Sequence, residues 1–362
     1  MKITDVTLES FEWPRPRPIR NGMFVYTTVR LDIVTVHTDD GIKGVGVGSG
    51  LAGASALMES LKPGVIGQNP MNVERIWHQL WVPKLVGRRG METRVISGID
   101  IAVWDLIGKI TGQPVYKLLG GFTDRIDVYI AGGYYEEGKG LKELAEEMET
   151  NLELGARAVK MKIGGESISV DVERVRTARE AIGPDIKLMV DANNAYRHHE
   201  AIVIARQMEE FDIYWFEEPC GADDYEGHAR VVAATSIPIA TGENEYTRYG
   251  FRDLIEHRAA SILQPDANIL GGVTEFRKVA DLAAAHDLAV SPHGSQDVHI
   301  HLVTAIPTGL ILEFYRDTVD PMWDQKFKET LRLDADGMLA PPNKPGFGFE
   351  PNYEALQRHR IA

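Results

Sequence analysis

Cysteine is almost missing from this chain. Cys220 is the only one in 362 residues, which excludes an internal disulfide and fits a reducing compartment. Directly after Pro219, it has no reactive-thiol context and reads as a packed bystander. Long hydrophobic runs are also missing. None reaches the roughly 18 residues of a membrane span, and the start, Met1 to Leu8, alternates like a strand without a signal-peptide core. Positive charge is scarce. With 39 Lys and Arg against 53 Asp and Glu the formal charge is −14, so no general field draws the chain to nucleic acid or an anionic membrane. Anionic small molecules stay open, because a bound cation and local lysines reverse the sign inside a pocket. A cytoplasmic protein is expected.

What is present is ordinary globular material, 44% apolar and 25% charged, long enough for two domains. Residues 1–124 read as an α+β capping domain. Val25 to His37 and Gly44 to Val47 flank the turn Asp39-Asp40-Gly41. Ile96, Ile99, Val103, Leu106 and Ile110 then mark one face of a helix ending near Gly112. The run Gly44 to Gly50 lacks the third glycine of a dinucleotide fingerprint, and no helix opens there, so it reads as a lid loop. Over 125–339, eight apolar runs recur with a strand–helix rhythm, which points to a (β/α)8-type barrel. Residues 340–362 begin with a proline–glycine connector and are expected to return to the capping domain.

Three of the apolar runs end in acids, Asp191, Glu217 and Glu243, each 26 positions after the last. Runs of this kind are strands buried on both faces, and barrel active sites lie at the carboxyl-terminal strand ends. Three convergent carboxylates repel one another unless a hard divalent cation joins them, so Mg2+ is expected there. The other strand ends supply Lys160 and Lys162, Asn193, Asp266, His293 and Glu313. Lys160 and Lys162 alternate and share a face. Mutual repulsion, with the metal, predicts a depressed lysine pKa, which suits Lys162 to act as a base. Asp266 is placed to fix the tautomer of His293. Glu313, in an apolar strand, reads as a neutral acid donating to a substrate carboxylate. His299 and His301 have metal-pair spacing, but in a helix i and i+2 face apart, so they are not assigned as ligands.

These parts fit the removal of a proton next to a carboxylate. Mg2+ and Lys160 offset the charge of the resulting enediolate. Lys162 and His293, on opposite faces, then either return the proton or expel a β-hydroxyl.

At these residues the chain resembles the enolase superfamily, within it the mandelate racemase-like acid-sugar dehydratases. The likeness is carried by Ala102-Val-Trp-Asp-Leu-Ile-Gly-Lys109, Lys160-Met-Lys162, Asp191-Ala-Asn193, Glu217-Glu-Pro219, Gly242-Glu-Asn244, Asp266, His293 and Glu313. It implies a modified (β/α)7β barrel, one Mg2+ on Asp191, Glu217 and Glu243, and Lys162 with His293 as acid–base pair. It further implies that Asp266 orients His293, that Lys160, Asn193 and Glu313 contact substrate, and that the chain forms a homo-oligomer. Where the muconate-lactonising branch has a lysine on strand six, this chain has Asp266.

The early loop Trp13 to Gly22 carries Arg15, Arg17 and Arg20. Together with Arg88 and Arg89, it is expected to close over a polar substrate and read its hydroxyls or a distal carboxylate. Dehydration of an aldonate or aldarate to a 2-keto-3-deoxy acid is the first reading. Racemisation or epimerisation of an α-hydroxy acid, or cycloisomerisation of a sugar lactone, uses the same first step. A non-catalytic metal-binding scaffold is the reading from another class.

Overall fold

Alternation along the strands sets the architecture. In the computed structural model, which describes residues 1–361, the first three strands form an antiparallel sheet: β1 Ile3–Arg20, β2 Val25–Thr38 and β3 Lys43–Gly48. β1 runs through Pro14, Pro16 and Pro18, where the sequence suggested a loop. Proline cannot donate to a ladder, but β1 is an edge strand and its register with β2 shifts between Pro14 and Ile19. The helix Met91–Thr111 packs across this sheet and stops at Gly112, whose φ is 68°.

Gly44 and Gly46 belong to β3 and not to a lid loop. A Cβ at Gly44 would lie 2.1 Å from the Ala102 carbonyl oxygen, and one at Gly46 2.5 Å from that of Gly98. These glycines let the sheet and helix backbones approach closely.

Eight parallel strands follow: β4 Ile126–Ala131, β5 Ala158–Lys162, β6 Lys187–Asp191, β7 Ile213–Glu217, β8 Ile239–Thr241, β9 Ile262–Leu263, β10 Ala289–Val290 and β11 Leu312–Phe314. They pair in the order β10-β9-β8-β7-β6-β5-β4-β11. Val290 N donates to Thr308 O and Leu310 N to Val290 O, both at 2.9 Å, which joins the two ends. A helix of ten or more residues follows each of β4 to β9, and one of eight follows β10; none directly follows β11. This is the (β/α)7β variant of the barrel.

Inward positions fill the barrel with Tyr129, Ala158, Met189, Trp215, Ala240 and Ile311. The alternate positions Val159, Met161, Leu188, Val190 and Phe216 pack outward against the helices. Period two therefore delivers Lys160, Lys162, Asp191 and Glu217 to the interior.

The last segment pairs β12, Met338–Leu339, with β4 and then crosses to the N-terminal sheet. Val115 N bonds Gly346 O at 2.9 Å and Ile361 N bonds Ser10 O at 2.8 Å. Among the described residues no helix is long and apolar enough to cross a membrane.

Candidate active site

Register brings the first members together. Lys162 pairs with Asp191, and Asp191 with Glu217, across three adjacent strands. Neighbouring strands lie about 4.8 Å apart, so these side chains share one level of the barrel. Glu243 stands two residues past β8, beyond Gly242 with φ 133°. A Cβ on Gly242 would lie 2.8 Å from the Phe251 ring, so only glycine makes the turn that aims Glu243 inward. One carboxylate oxygen each from Asp191, Glu217 and Glu243 then lie within 4.8 Å of one another.

The buried amines answer part of this charge. Lys160 Nζ lies 2.5 Å from Glu217 and 2.8 Å from Glu313, and Lys162 bonds Asp191. Burial opposes the charge on both lysines, but Glu217 and Glu313 hold Lys160 well above the ordinary lysine value and Asp191 does the same for Lys162. The depressed lysine expected from the sequence counts on the metal, and the protein's own groups do not produce it. Mutual repulsion of the amines is smaller than the pull of the carboxylates around them.

Glu313 corrects a second expectation. Burial raises its pKa, but Lys160, His293 and Lys162 outweigh that and bring it down to about 2. It accepts from Gly294 N at 2.7 Å and Tyr315 OH at 3.1 Å. It is an ionised anchor for Lys160, not a neutral donor.

Across the cavity, His293 Nδ1 donates to Asp266 Oδ2 at 3.0 Å, which leaves Nε2 toward the cavity, 3.5 Å from Glu243 and 3.4 Å from Tyr315 OH. Burial disfavours the imidazolium. Glu243, the bond to Asp266 and Glu313 prevail and push it up to about 10. Asp266 is held in turn by Asn268 N and Nδ2 at 2.8 and 3.1 Å. Asn193 N bonds Asp191 Oδ1 at 2.8 Å, and its side-chain oxygen is buried without a partner.

Of the three early arginines, Arg15 lines the cavity that also holds Lys162, Asn193, Glu243, Asp266 and His293. Arg17 is exposed and outside that lining. Arg20 is spent on docking the hairpin, at 2.6 Å to Gly165 O and 2.8 Å to Glu166. Arg88 and Arg89 are likewise occupied, by Asp253 at 2.5 Å and by Glu245.

His299 and His301 are structural. His299 Nε2 accepts from Ala267 N at 2.9 Å and Nδ1 donates to Gly294 O at 2.6 Å. His301 bonds Tyr116 N at 3.3 Å and Phe347 O at 2.9 Å. Cys220 is buried, and burial pushes its thiol up to about 12.

Sequence reading missed Trp215, Gln264 and Tyr315. Trp215 Nε1 and Gln264 Nε2 both donate to Glu217 Oε2, at 2.9 and 2.7 Å, and fix its orientation. Each stands two residues from an assigned site residue, Trp215 with Glu217 on β7 and Gln264 and Tyr315 just past the ends of β9 and β11, and period-two spacing is the signal that finds them.

The site fits a hard dication. All three convergent donors are carboxylate oxygens, and Glu243 Oε2 is buried with no hydrogen-bond partner. Burial and Asp191 push Glu217 up to about 8 even with Lys160 opposing, so the two amines do not balance the acids.

Residues 3–120 match the mandelate racemase / muconate lactonizing enzyme N-terminal domain, and 143–356 the enolase C-terminal domain-like family. The chain belongs to the enolase superfamily. Within it, this mandelate racemase-like chain is 35% identical over 326 residues to the arabinonate dehydratase of Saccharolobus solfataricus, covering 87% of this chain and 86% of that protein. It is 34% identical over 378 residues to the D-galactarolactone cycloisomerase of Agrobacterium fabrum, covering 100% and 99%. The crystal structure of L-talarate/galactarate dehydratase from Salmonella typhimurium LT2, liganded with Mg and L-lyxarohydroxamate, superposes with a TM-score of 0.92 at 34% identity over 100% and 93% of the two chains.

Proposed function

We propose that this superfamily member is a Mg2+-dependent dehydratase that converts a polyhydroxy acid, an aldonate or aldarate, to a 2-keto-3-deoxy acid. The observation that carries the reading is that Lys162 and His293 line one cavity beside the convergent acids Asp191, Glu217 and Glu243. Relatives named as arabinonate and L-talarate/galactarate dehydratases support the substrate class.

Mg2+ on Asp191, Glu217 and Glu243 would act as a Lewis acid on a substrate carboxylate and offset the acids that hold the Lys162 proton. Lys160, anchored by Glu313, faces the charge that develops on that carboxylate. One of Lys162 and His293 removes the α-proton, and the other protonates the β-hydroxyl as it leaves as water. Asp266 keeps the His293 proton-transfer atom, Nε2, in the cavity. The enol that results takes a proton at C3 and becomes the keto acid. Asn193 contacts the hydroxyl-bearing chain.

A library of acid sugars incubated with Mg2+ and assayed with semicarbazide tests this reading. Keto product that disappears with a chelator supports it. Inversion at the α-carbon with no keto acid gives the site to epimerisation instead, and ring opening of a lactone gives it to cycloisomerisation. The match to D-galactarolactone cycloisomerase over nearly both full lengths keeps the latter as the second reading.

A further inference from the structure

The cavity of about 380 Å³ that Lys162, His293 and Asn193 line is also lined by Arg15, Tyr26 and Tyr134. The Arg15 Nε and Nη1 are buried and have no hydrogen-bond partner. The nearby carboxylate, Asp320, is already taken by Trp13 Nε1 at 3.0 Å, Met322 N at 3.0 Å and Lys326 Nζ at 2.8 Å. Among the described residues, the other cations lining this cavity each have a polar partner; Arg30 pairs with Glu12 and Arg94 bonds Tyr246. Burial alone draws the Arg15 pKa down, against weaker attraction from Tyr134 and Asp320.

Arg15 is also held in place. Pro14 and Pro16 flank it and restrict the backbone to extended conformations, and Trp13 beside it is buried. A guanidinium with two buried nitrogens and no hydrogen-bonded carboxylate is costly. A hydroxyl gives it a hydrogen bond but leaves the charge unanswered, whereas a carboxylate matches its planar fork and its charge.

We propose that Arg15 binds the distal carboxylate of a dicarboxylic sugar acid, so that the substrates are aldarates in preference to aldonates. The proposal rests on the acid-sugar reading and narrows it. One carboxylate occupies the end near Lys160, where the α-carbon meets Lys162 and His293, and the other occupies the Arg15 end.

The test compares matched acids that differ only at the far carbon, galactarate with galactonate and glucarate with gluconate. Wild type is expected to favour the diacid of the reactive pair. Arg15→Gln should lower kcat/KM for the diacid about 30- to 1,000-fold more than for the monoacid, the range for removing one partner of a buried charge pair. Arg15→Lys, which keeps the charge without the fork, should restore part of the preference and guards against a folding defect. Equal loss on both acids, no loss, or a wild-type preference for monoacids overturns the assignment while dehydration stands. If no acid of either class gives a keto product, the dehydratase reading fails instead. Calorimetric binding of the same pairs to Lys162→Met then decides, and diacid binding no more sensitive to Arg15→Gln than monoacid binding overturns the assignment.

Discussion

Lys162 and His293 each owe their position to a carboxylate, Asp191 for the amine and Asp266 at 3.0 Å for the imidazole. Lys162→Met and His293→Asn should each lower keto-acid formation by about 10²–10⁴-fold, the usual worth of a positioned acid or base. The variant that lacks the proton donor should still exchange the α-hydrogen with solvent, and the one that lacks the base should not. Turnover within tenfold of wild type in either variant would remove that residue from the chemistry. Tyr315, between Glu313 and His293, should cost about tenfold in kcat when changed to Phe, which removes its hydrogen bonds to both.

A different histidine reports on folding. Burial brings His301 from 6.5 down to about 3, so between those values the folded chain binds fewer protons than the unfolded one. Its contribution is present at neutral pH and is lost as pH falls through that window, about 2 kcal/mol by pH 5. His301→Gln keeps a donor and an acceptor for Phe347 O and Tyr116 N and does not titrate. Its melting temperature should fall less than that of wild type between about pH 7 and pH 5. An equal fall would contradict the assignment of acid lability to this side chain.

At the scale of elements, the helices Val73–Leu80 and Met91–Thr111 join the two halves. Asp100 in Met91–Thr111 accepts from Thr274 N and Oγ1 at 2.9 and 2.6 Å, and Trp77 Nε1 bonds Gly271 O at 2.8 Å. Asp105 accepts from Val45 N at 2.8 Å and Phe347 N at 2.9 Å and pairs with Lys109 at 2.6 Å. It thus ties β3, the helix and the final segment together. Asp105→Ala leaves buried donors unsatisfied and should cost about 3–5 kcal/mol in urea unfolding. A loss below about 1 kcal/mol would mean that the apolar packing of this helix suffices alone.

The strands show what was legible beforehand. β6 and β7 end at Asp191 and Glu217 because their apolar runs and their hydrogen-bonded ladders coincide. β9 and β10 stop earlier than their apolar runs, near Pro265 and Pro292, since proline offers no ladder donor. Asp266 and His293 therefore sit in the loops just beyond these strands. The prolines of β1 misled in the other direction, because composition does not reveal that a strand lies at an edge. The charge states of Lys162 and Glu313 were beyond sequence reading for a related reason. They depend on the summed field of side chains from non-adjacent strands, and no local pattern encodes that sum.

Across the whole molecule, a chain with a formal charge of −14 concentrates several of its acids in one buried mouth and answers them with two lysines and a histidine. That excess of carboxylate is what a dication would complete, and the acidity of a carbon beside a bound carboxylate follows from it. The capping sheet lines the cavity through Arg15 and Tyr26, so both halves of the chain reach the site. The most direct test is NMR of the Mg2+-dependent reaction in D2O with the acid sugar that the library identifies. The proposed sequence of proton loss, β-elimination and ketonisation predicts a 2-keto-3-deoxy acid with one solvent deuterium at C3. A keto product that carries the original α-hydrogen to C3 would contradict it.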